Sequence, residues 1–358
     1  MTLDAGGTNF IFSAICAYKE IVEPISRPSN GDNLELCLQT IVEGFKAVRA
    51  QLNEEPVAIS FAFPGPADYP RGIIGDLFNL PAFKGGVALG PMLEECFDLP
   101  VYINNDGDLY AYGEAIAGIL PEINQRLEVQ SSPKRFNNLV GFTLGTGFGG
   151  GLVRNQELFL GDNSAGLEVW IMSSPYMKCN VEEGVSIRAV QRTYAELTGL
   201  SPETVPSPKD IFEIGIGTQE GDQQAAIESY QQMGRVIGDV LANISTLIDG
   251  IVVIGGGVSG AKELFWPAMI DEMNRKYENF KGESYRRLVQ KVYDLDDTQQ
   301  YNEFLKGDSK LVKVPGSNKQ IHYDFQSRIG IALSRIGTSK AISIGAYSFA
   351  LNEVDKRF

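Results

Sequence analysis

The stretch Leu139-Val-Gly-Phe-Thr-Leu-Gly-Thr-Gly-Phe-Gly-Gly-Gly-Leu152 decides how this chain is read. Leu139, Val140, Phe142 and Leu144 form an apolar strand that runs into the glycines, and Leu152-Val153 leads away as another. Five of the seven residues from Gly145 to Gly151 are glycine. That strips away side chains, so backbone N–H groups can approach a bulky anion. Thr146 adds a hydroxyl donor at the tip. The segment reads as a phosphate-cradling hairpin, though a plain glycine-rich turn would look the same. Gly145, Gly147 and Gly150 also match G-x-G-x-x-G, but a dinucleotide site needs a helix directly after the glycines. Leu152–Leu160 reads as strand, turn and strand instead.

The chain has 358 residues, which fits two domains of ordinary size. It is 43% hydrophobic and 21% charged, as expected of a globular protein with a real core. A formal net charge of −14, from 45 acidic and 31 basic residues, disfavours nucleic acid or an anionic membrane as partner. No apolar run approaches a membrane span and no signal peptide precedes the first motif. Cys16, Cys37, Cys96 and Cys179 are scattered without paired spacing. They read as reduced, buried thiols of a cytoplasmic protein. His322 is the only histidine, which excludes His-based metal clusters and weighs against a His-dependent triad.

Upstream of the hairpin, Asp4-Ala-Gly6-Gly7-Thr8-Asn9 joins a short apolar lead to a second strand, Phe10–Ala17. An acid at a strand end beside a backbone nest can hold Mg²⁺, with nucleotide phosphates completing the shell. The bland alternative is a hairpin turn with Asp as turn former. Only three residues precede Asp4, so the lead strand is short, and whether the chain starts upstream of Met1 stays open. Asn33–Asn53 carries apolar residues at helical spacing. Val57–Phe63 reads as a strand ending at Pro64-Gly65-Pro66, a rigid turn whose backbone could line a ligand cleft. Asn79-Leu-Pro81 follows, then a helix at Gly90–Phe97 and a buried strand at Val101–Ile103. That strand delivers Asn104-Asn105-Asp106-Gly-Asp108 ahead of helical Leu109–Ile119. Polar groups at the C-terminal end of such a strand lie where α/β sheets bind ligands. Asp106 could take a proton from an attacking hydroxyl, and Asp108 reads as the helix cap. Pro121–Asn138 is polar and reads as an exposed insertion.

Downstream, Glu168 sits between apolar neighbours, and Glu182-Glu183 precede a helix, Ile187–Thr198. Both acidic sites could accept hydrogen bonds from sugar hydroxyls. A surface charge for Glu183 and a helix-start acid for Glu182 are the ordinary readings. Ser201–Gly221 is a loop with a short helix at Pro208–Ile214, and Asp222–Asp249 is a long helix. The apolar strand Gly250–Ile254 ends in Gly255-Gly256-Gly257-Val-Ser-Gly260, with a helix from Lys262 to about Tyr277. This second glycine string does sit between strand and helix. A dinucleotide fold, however, would place a strand where polar Lys276–Ser284 lies, so the string reads as a nucleotide-contacting turn at a helix N-terminus. Asp294–Phe325 reads as another insertion and Ser339–Leu351 as a final helix.

Asp4-x-Gly-Gly-Thr8, Pro64-Gly-Pro66, Asn79-Leu-Pro81, Asn105–Glu114 (NDGDLYAYGE), Gly145–Gly151 and Gly255-Gly-Gly-Val258 occur together in this order. The set resembles the ROK family of sugar kinases and sugar-responsive repressors, within the actin/hexokinase-like superfamily. The resemblance implies an α/β, ribonuclease-H-like protein of two domains around a cleft. Residues 1–113 would form the first domain, with helix 339–358 packing back on it, and 114–338 the larger second one. It implies an ATP-dependent kinase acting on a hexose hydroxyl, with Asp106 as base. Gly65, Asn79, Asn105, Glu168 and Glu182 would meet the sugar. Gly6, Gly7, Thr8, Asn9, Thr146, Gly147, Gly256 and Gly257 would meet ATP, and Asp4 would serve Mg²⁺. It also suggests a homodimer or larger assembly. Family members usually carry Glu-x-Gly-His and a cysteine triad binding structural zinc. Here that run is Glu168-Val-Trp170-Ile171, with only Cys179 nearby. A four-ligand zinc site cannot be built from this. No zinc is expected, and packing by Trp170 and Tyr176 is expected to hold the loop. The repressor branch begins with a DNA-binding helix-turn-helix, for which there is no room before Asp4.

Glucose, fructose, mannose and N-acetylated hexosamines are all open as substrates. A non-catalytic sugar-binding or regulatory protein is the competing class, supported by the missing His and cysteines. The two acids and both glycine loops argue against it. A nicotinamide oxidoreductase rests on the glycine strings alone.

Overall fold

A computed structural model describes residues 1–5, 8–77 and 81–356 of the chain. These form two compact units. The first comprises Met1–Gly118, Gly151–Gly166 and Ile336–Phe358; the second comprises Ile119–Gly150 and Leu167–Arg335.

In the first unit the chain runs β1 (Thr2–Ala5), β2 (Asn9–Ser13), β3 (Ile25–Pro28), α1 (Leu34–Arg49), β4 (Ile59–Ala62), α2 (Leu89–Phe97), β5 (Val101–Asn104) and α3 (Asp106–Ala117). The strands lie in the order β3-β2-β1-β4-β5. β1, β2 and β3 are antiparallel neighbours, whereas β1, β4 and β5 are parallel. Asn33 caps α1 by accepting the Leu36 N–H at 3.1 Å. The helix buries Cys37, Ile41, Phe45 and Val48 as one stripe. Phe45 meets Phe12 edge-on at 5.3 Å and Phe61 at 5.8 Å, so it ties helix to sheet. Truncating such a ring costs about 3–5 kcal/mol. The C-terminal helix, Thr338–Asp355, packs along α3, and the Ser60 hydroxyl on β4 donates to the Ala346 carbonyl at 2.7 Å.

The second unit begins with α4 (Ile119–Val129) and β6 (Asn138–Leu144), and β7 (Phe148–Arg154) and β8 (Glu157–Phe159) continue the hairpin. The outer part of that hairpin belongs to the first unit. Then come α5 (Glu182–Val185), α6 (Ile187–Thr198), α7 (Pro208–Gly215), α8 (Gln223–Leu247), β9 (Ile251–Gly255), α9 (Lys262–Met273), β10 (Lys276–Glu278), β11 (Ser284–Arg286), β12 (Lys291–Asp294), α10 (Thr298–Lys306), β13 (Ser309–Lys313), β14 (Gln320–Asp324) and β15 (Arg328–Leu333). The large sheet has the order β8-β7-β6-β9-β15-β12. β6, β9, β15 and β12 are mutually parallel. β9 is buried at every residue, as a central parallel strand covered on both faces must be.

Several sequence expectations change here. Pro121–Asn138 is not an exposed insertion. Its first half, to Val129, lies in α4, which buries Ile119, Leu120, Ile123 and Leu127, and Phe136 stacks on Phe304 at 5.2 Å. Pro121 is tolerated because it falls in the first turn, where its missing N–H has no partner to lose. Lys276–Ser284 contains strand β10, which pairs with β11 as a separate hairpin; α9 stops at Met273. Within Asp294–Phe325, α10 buries Tyr301, Phe304 and Leu305, so that part is core.

The cysteines also differ. Cys37 is buried, but Cys16, Cys96 and Cys179 are exposed. Burial pushes the Cys37 thiol up to about 11. A thiol reagent at pH 8 is therefore expected to titrate three cysteines in the native protein and Cys37 only after unfolding. Rapid reaction of all four would contradict this packing.

Candidate active site

Strand register builds the first cluster. Asp4 on β1 pairs with Ala62 on β4, and Ala62 pairs with Asn104 on β5. Neighbouring strands lie about 4.8 Å apart, so Asp4 and the start of α3 face each other across one intervening strand. Asn105 caps α3: its side-chain oxygen accepts the Gly107 N–H at 2.8 Å. Asp108, expected as the cap, is buried within the first turn. Asn wins because its Oδ1, placed before the helix, reaches the free N–H two residues on. Asp106 thus becomes the first helical residue, and its Oδ1 also accepts from Gly107 N at 2.8 Å.

The Asp106 carboxyl keeps open surface yet is ringed by protein, and its pKa is raised above the ordinary carboxylate range. Desolvation is the main cause. The backbone hydrogen bonds oppose it, and the negative charge of Asp4 adds to it. The Asn105 amide reaches the Tyr69 hydroxyl at 3.4 Å, and that hydroxyl donates to the Phe63 carbonyl at 2.9 Å. A side chain on Gly65 would stand 3.0 Å from the same hydroxyl. Tyr69 therefore brings the Pro64-Gly65-Pro66 turn and Asn105 together, and no motif in the sequence marks it. Thr8 and Asn9 are exposed at the start of β2, where the Thr8 carbonyl accepts the Ser29 N–H at 2.9 Å. Gly6, Gly7 and Asn79 lie outside the described residues.

The second cluster stands at the C-terminal ends of β6 and β9. Thr143 pairs with Gly255, so the turns at Gly145–Gly147 and Gly256–Gly257 are neighbours. Gly256 has φ +90°, and a Cβ there would sit 2.2 Å from the Leu144 carbonyl. Only glycine satisfies both conditions. The glycine string of the hairpin divides in two. Gly145 has open space around its missing side chain, and Thr146 is exposed at the tip. Gly149, Gly150 and Gly151 are part of strand β7. A Cβ on Gly151 would come 2.4 Å from the Gly107 carbonyl, so that glycine permits close packing rather than anion approach.

Glu182 stands against the hairpin tip: its Oε2 accepts the Phe148 N–H at 3.2 Å, and Arg188 reaches its Oε1 at 3.4 Å. Glu183 turns to Arg192 at 3.0 Å. Glu168 is exposed and accepts a hydrogen bond from the Trp170 indole N–H. Trp170 is 39% exposed, so it does not anchor its loop by burial as expected. Tyr176 does so through a hydrogen bond of 2.7 Å to Glu272.

Charge makes a cation at Asp4 reasonable. Two carboxylates approach closely enough for one to raise the other's pKa. Among the described residues no group of three His, Cys, Asp or Glu could cage a metal. A divalent ion there would complete its shell with phosphate oxygens and water, as Mg²⁺ commonly does. Among the described residues no helix is long and apolar enough to cross a membrane.

The two α/β units have the actin/hexokinase-like fold, and comparison with known proteins agrees. The chain resembles the crystal structure of a glucokinase from Parabacteroides distasonis at 52% identity and TM-score 0.91, covering 98% of this chain and 96% of that one. A ROK family glucokinase from Streptomyces griseus, solved with glucose and AMPPNP, shares the fold at 17% identity and TM-score 0.59, covering 97% of each chain. The N-acetyl-D-glucosamine kinase of Vibrio parahaemolyticus is 28% identical over 281 residues, covering 73% of this chain and 85% of that protein. The ROK family model matches residues 1–297, and the chain belongs to the ROK family.

Proposed function

We infer that this protein is an ATP-dependent sugar kinase that moves the γ-phosphoryl group of ATP to a hexose hydroxyl, at C6 of glucose or a related hexose. The observation that carries the reading is Asp106: a carboxylate of raised pKa, in reach of the field of Asp4, at the C-terminal end of a parallel strand. A base whose pKa is lifted towards neutrality accepts an alcohol proton more readily. The names of the relatives support the class, and they split between glucose and N-acetylglucosamine.

In this mechanism Asp106 takes the proton from the attacking hydroxyl as its oxygen bonds to the γ-phosphorus and the bond from that phosphorus to the bridging oxygen of ADP breaks, releasing ADP. Asn105 orients the sugar through the amide edge not used by Tyr69, and Gly65, Asn79, Glu168 and Glu182 meet other hydroxyls. Gly6, Gly7, Thr8, Asn9, Thr146 and Gly147 would serve the phosphates, and Gly256-Gly257 the adenosine. Preset donors stabilise charge that grows in the transition state. Asp4 would hold Mg²⁺, which neutralises phosphate charge when bound. The family's histidine position is Ile171 here, so one sugar contact is lost, and the choice of sugar is what the panel below must decide. The unpaired cysteine pattern and the resemblance support a cytoplasmic homodimer or larger assembly.

ADP release measured over a panel of glucose, mannose, fructose and N-acetylated hexosamines, against a no-sugar control, tests the reading. Sugar-dependent release well above the control is expected for at least one. Sugar binding without release on any of them would instead favour the non-catalytic regulator.

A further inference from the structure

We propose that Glu183 is a positioning residue: through Arg188, which it shares with Glu182, it sets how much of the Glu182 carboxylate is free for a sugar hydroxyl. The proposal rests on the kinase reading, in which Glu182 meets the sugar, and adds residues to it. Every group named lies in the second unit. The two oxygens of Glu182 have different work. Oε2 faces the glycine turn: it accepts the Phe148 N–H at 3.2 Å, and a Cβ on Gly147 would stand 2.8 Å from it. The main chain beside Glu182 is docked on the same turn. The Ser186 N–H donates to the Glu182 carbonyl at 3.0 Å, and the Ile187 N–H to the Gly145 carbonyl at 3.1 Å. Oε2 is therefore committed to the turn, and Oε1 is the oxygen left for a ligand. Arg188 reaches that oxygen at 3.4 Å.

A guanidinium on Oε1 competes with a sugar hydroxyl for the same lone pairs. Glu183 weakens that competition. The Arg188 Nη2 that reaches Glu182 also lies 3.7 Å from Glu183 Oε1, so one amino group stands between two carboxylates. Glu183 is itself held back from Glu182. Arg192, one turn further along α6, pairs with its Oε2 at 3.0 Å and also donates to its main-chain carbonyl. The four side chains alternate in sign, Glu182–Arg188–Glu183–Arg192, and the row ends on an anchor made at two points. A guanidinium fork can do this and an ammonium cannot do it as well. With the charge of Glu183 removed, Arg188 keeps only Glu182 as an ion-pair partner among the described residues. It then settles on Oε1, where the sugar must bind. The row reaches water: the Arg188 side chain is 51% exposed and that of Glu182 24%. The effect on affinity is therefore a few-fold change rather than a loss of binding.

Glu183→Gln tests this, because the amide keeps an oxygen for Arg192 and removes only the charge. Calorimetric titration with glucose, mannose, fructose and N-acetylglucosamine identifies the sugar that the parent binds most tightly. Its Kd is expected to rise about three- to fivefold in the variant. The Kd for ADP and kcat should stay within about twofold, since no reacting atom is touched. The decisive comparison is made in the Arg188→Gln background, where adding Glu183→Gln should move the sugar Kd by less than about twofold. A purely structural role for Glu183 would weaken sugar binding equally in both backgrounds. If the parent phosphorylates a sugar and Glu183→Gln leaves its Kd unmoved or lowered, or raises it equally in both backgrounds, the positioning role is wrong and the kinase reading stands. If no sugar is phosphorylated but one binds, and the effect of Glu183→Gln vanishes with Arg188, the positioning role stands and the kinase reading falls. A parent that binds none of the four sugars overturns the proposal.

Discussion

Asp106→Asn is expected to lower kcat by about 10²–10⁴-fold, the worth of a positioned general base, while leaving the protein slightly more stable. The two halves share one cause. Surrounding protein and the charge of Asp4 raise the folded-state pKa of Asp106. Its unfolded value is that of an ordinary carboxylate, so the native state binds the proton more tightly than the unfolded one. Ionised Asp106 therefore works against folding. This deficit is complete at pH values above the raised folded pKa, shrinks as pH falls through it, and is gone below the unfolded pKa. Asn removes the charge and keeps an oxygen for the Gly107 N–H. Water still reaches the carboxyl, which limits the gain to about 1–2 °C in Tm. In the parent, kcat/KM should fall on the acid side with a midpoint above the usual aspartate range, because the base must be deprotonated. Thermal melts at pH 7.5 and 5, with turnover and sugar titration of both proteins, check all of this. Normal turnover in the variant would remove Asp106 from the role. A lowered Tm would show that the carboxylate holds the site together rather than working in it.

The parts of the fold legible in the sequence are those whose signals are local. The Asn33 cap and the stripe from Cys37 to Val48 place α1 within a residue of its observed start. Ser207 and Asp210 close a capping box on α7, and Asp222 caps α8 where the polar loop ends. The clustering of polar groups after β5 was legible for the same reason: a continuous apolar run delivers them at its end. What escaped depends on neighbours distant in the chain. Gly151 looks like a loop glycine until the Gly107 carbonyl is found beneath it. Asp106 and Asp108 both look like helix caps, and the preceding Asn105 takes the position because the helix starts earlier than hydrophobic spacing suggests. Trp170 looks like a core residue by type, yet it stays 39% exposed and its N–H turns to Glu168. Tyr69 has no local mark at all, since its work is to join Phe63 and Asn105.

Arg287→Met is expected to destabilise the second unit by about 3–5 kcal/mol, the usual cost of removing one partner from a buried ion pair. The Arg287 side chain is 4% exposed. It donates to the carboxylates of Asp239 on α8 and Glu272 on α9, and at 3.2 Å to Asn243. Met matches its apolar stem but leaves two buried carboxylates without that donor. Glu272 would keep Arg275 at 3.5 Å and the Tyr176 hydroxyl at 2.7 Å; Asp239 would lose more. Adding Asp239→Asn to the variant should therefore return part of the loss, because the remaining charge is the cost, not the missing bond. The same cluster holds the loop before Glu182. Tyr176 joins that loop to Glu272, and both burial and this hydrogen bond raise the tyrosine's pKa. Loosening Glu272 thus loosens the segment that carries Glu182 to the hairpin tip. Urea unfolding should show a lower midpoint for Arg287→Met, and the sugar KM should rise more than the nucleotide KM. Unchanged stability in Arg287→Met would mean that water or another cation replaces the guanidinium. A stability loss with both KM values unmoved would separate the cluster from the site it is argued to support.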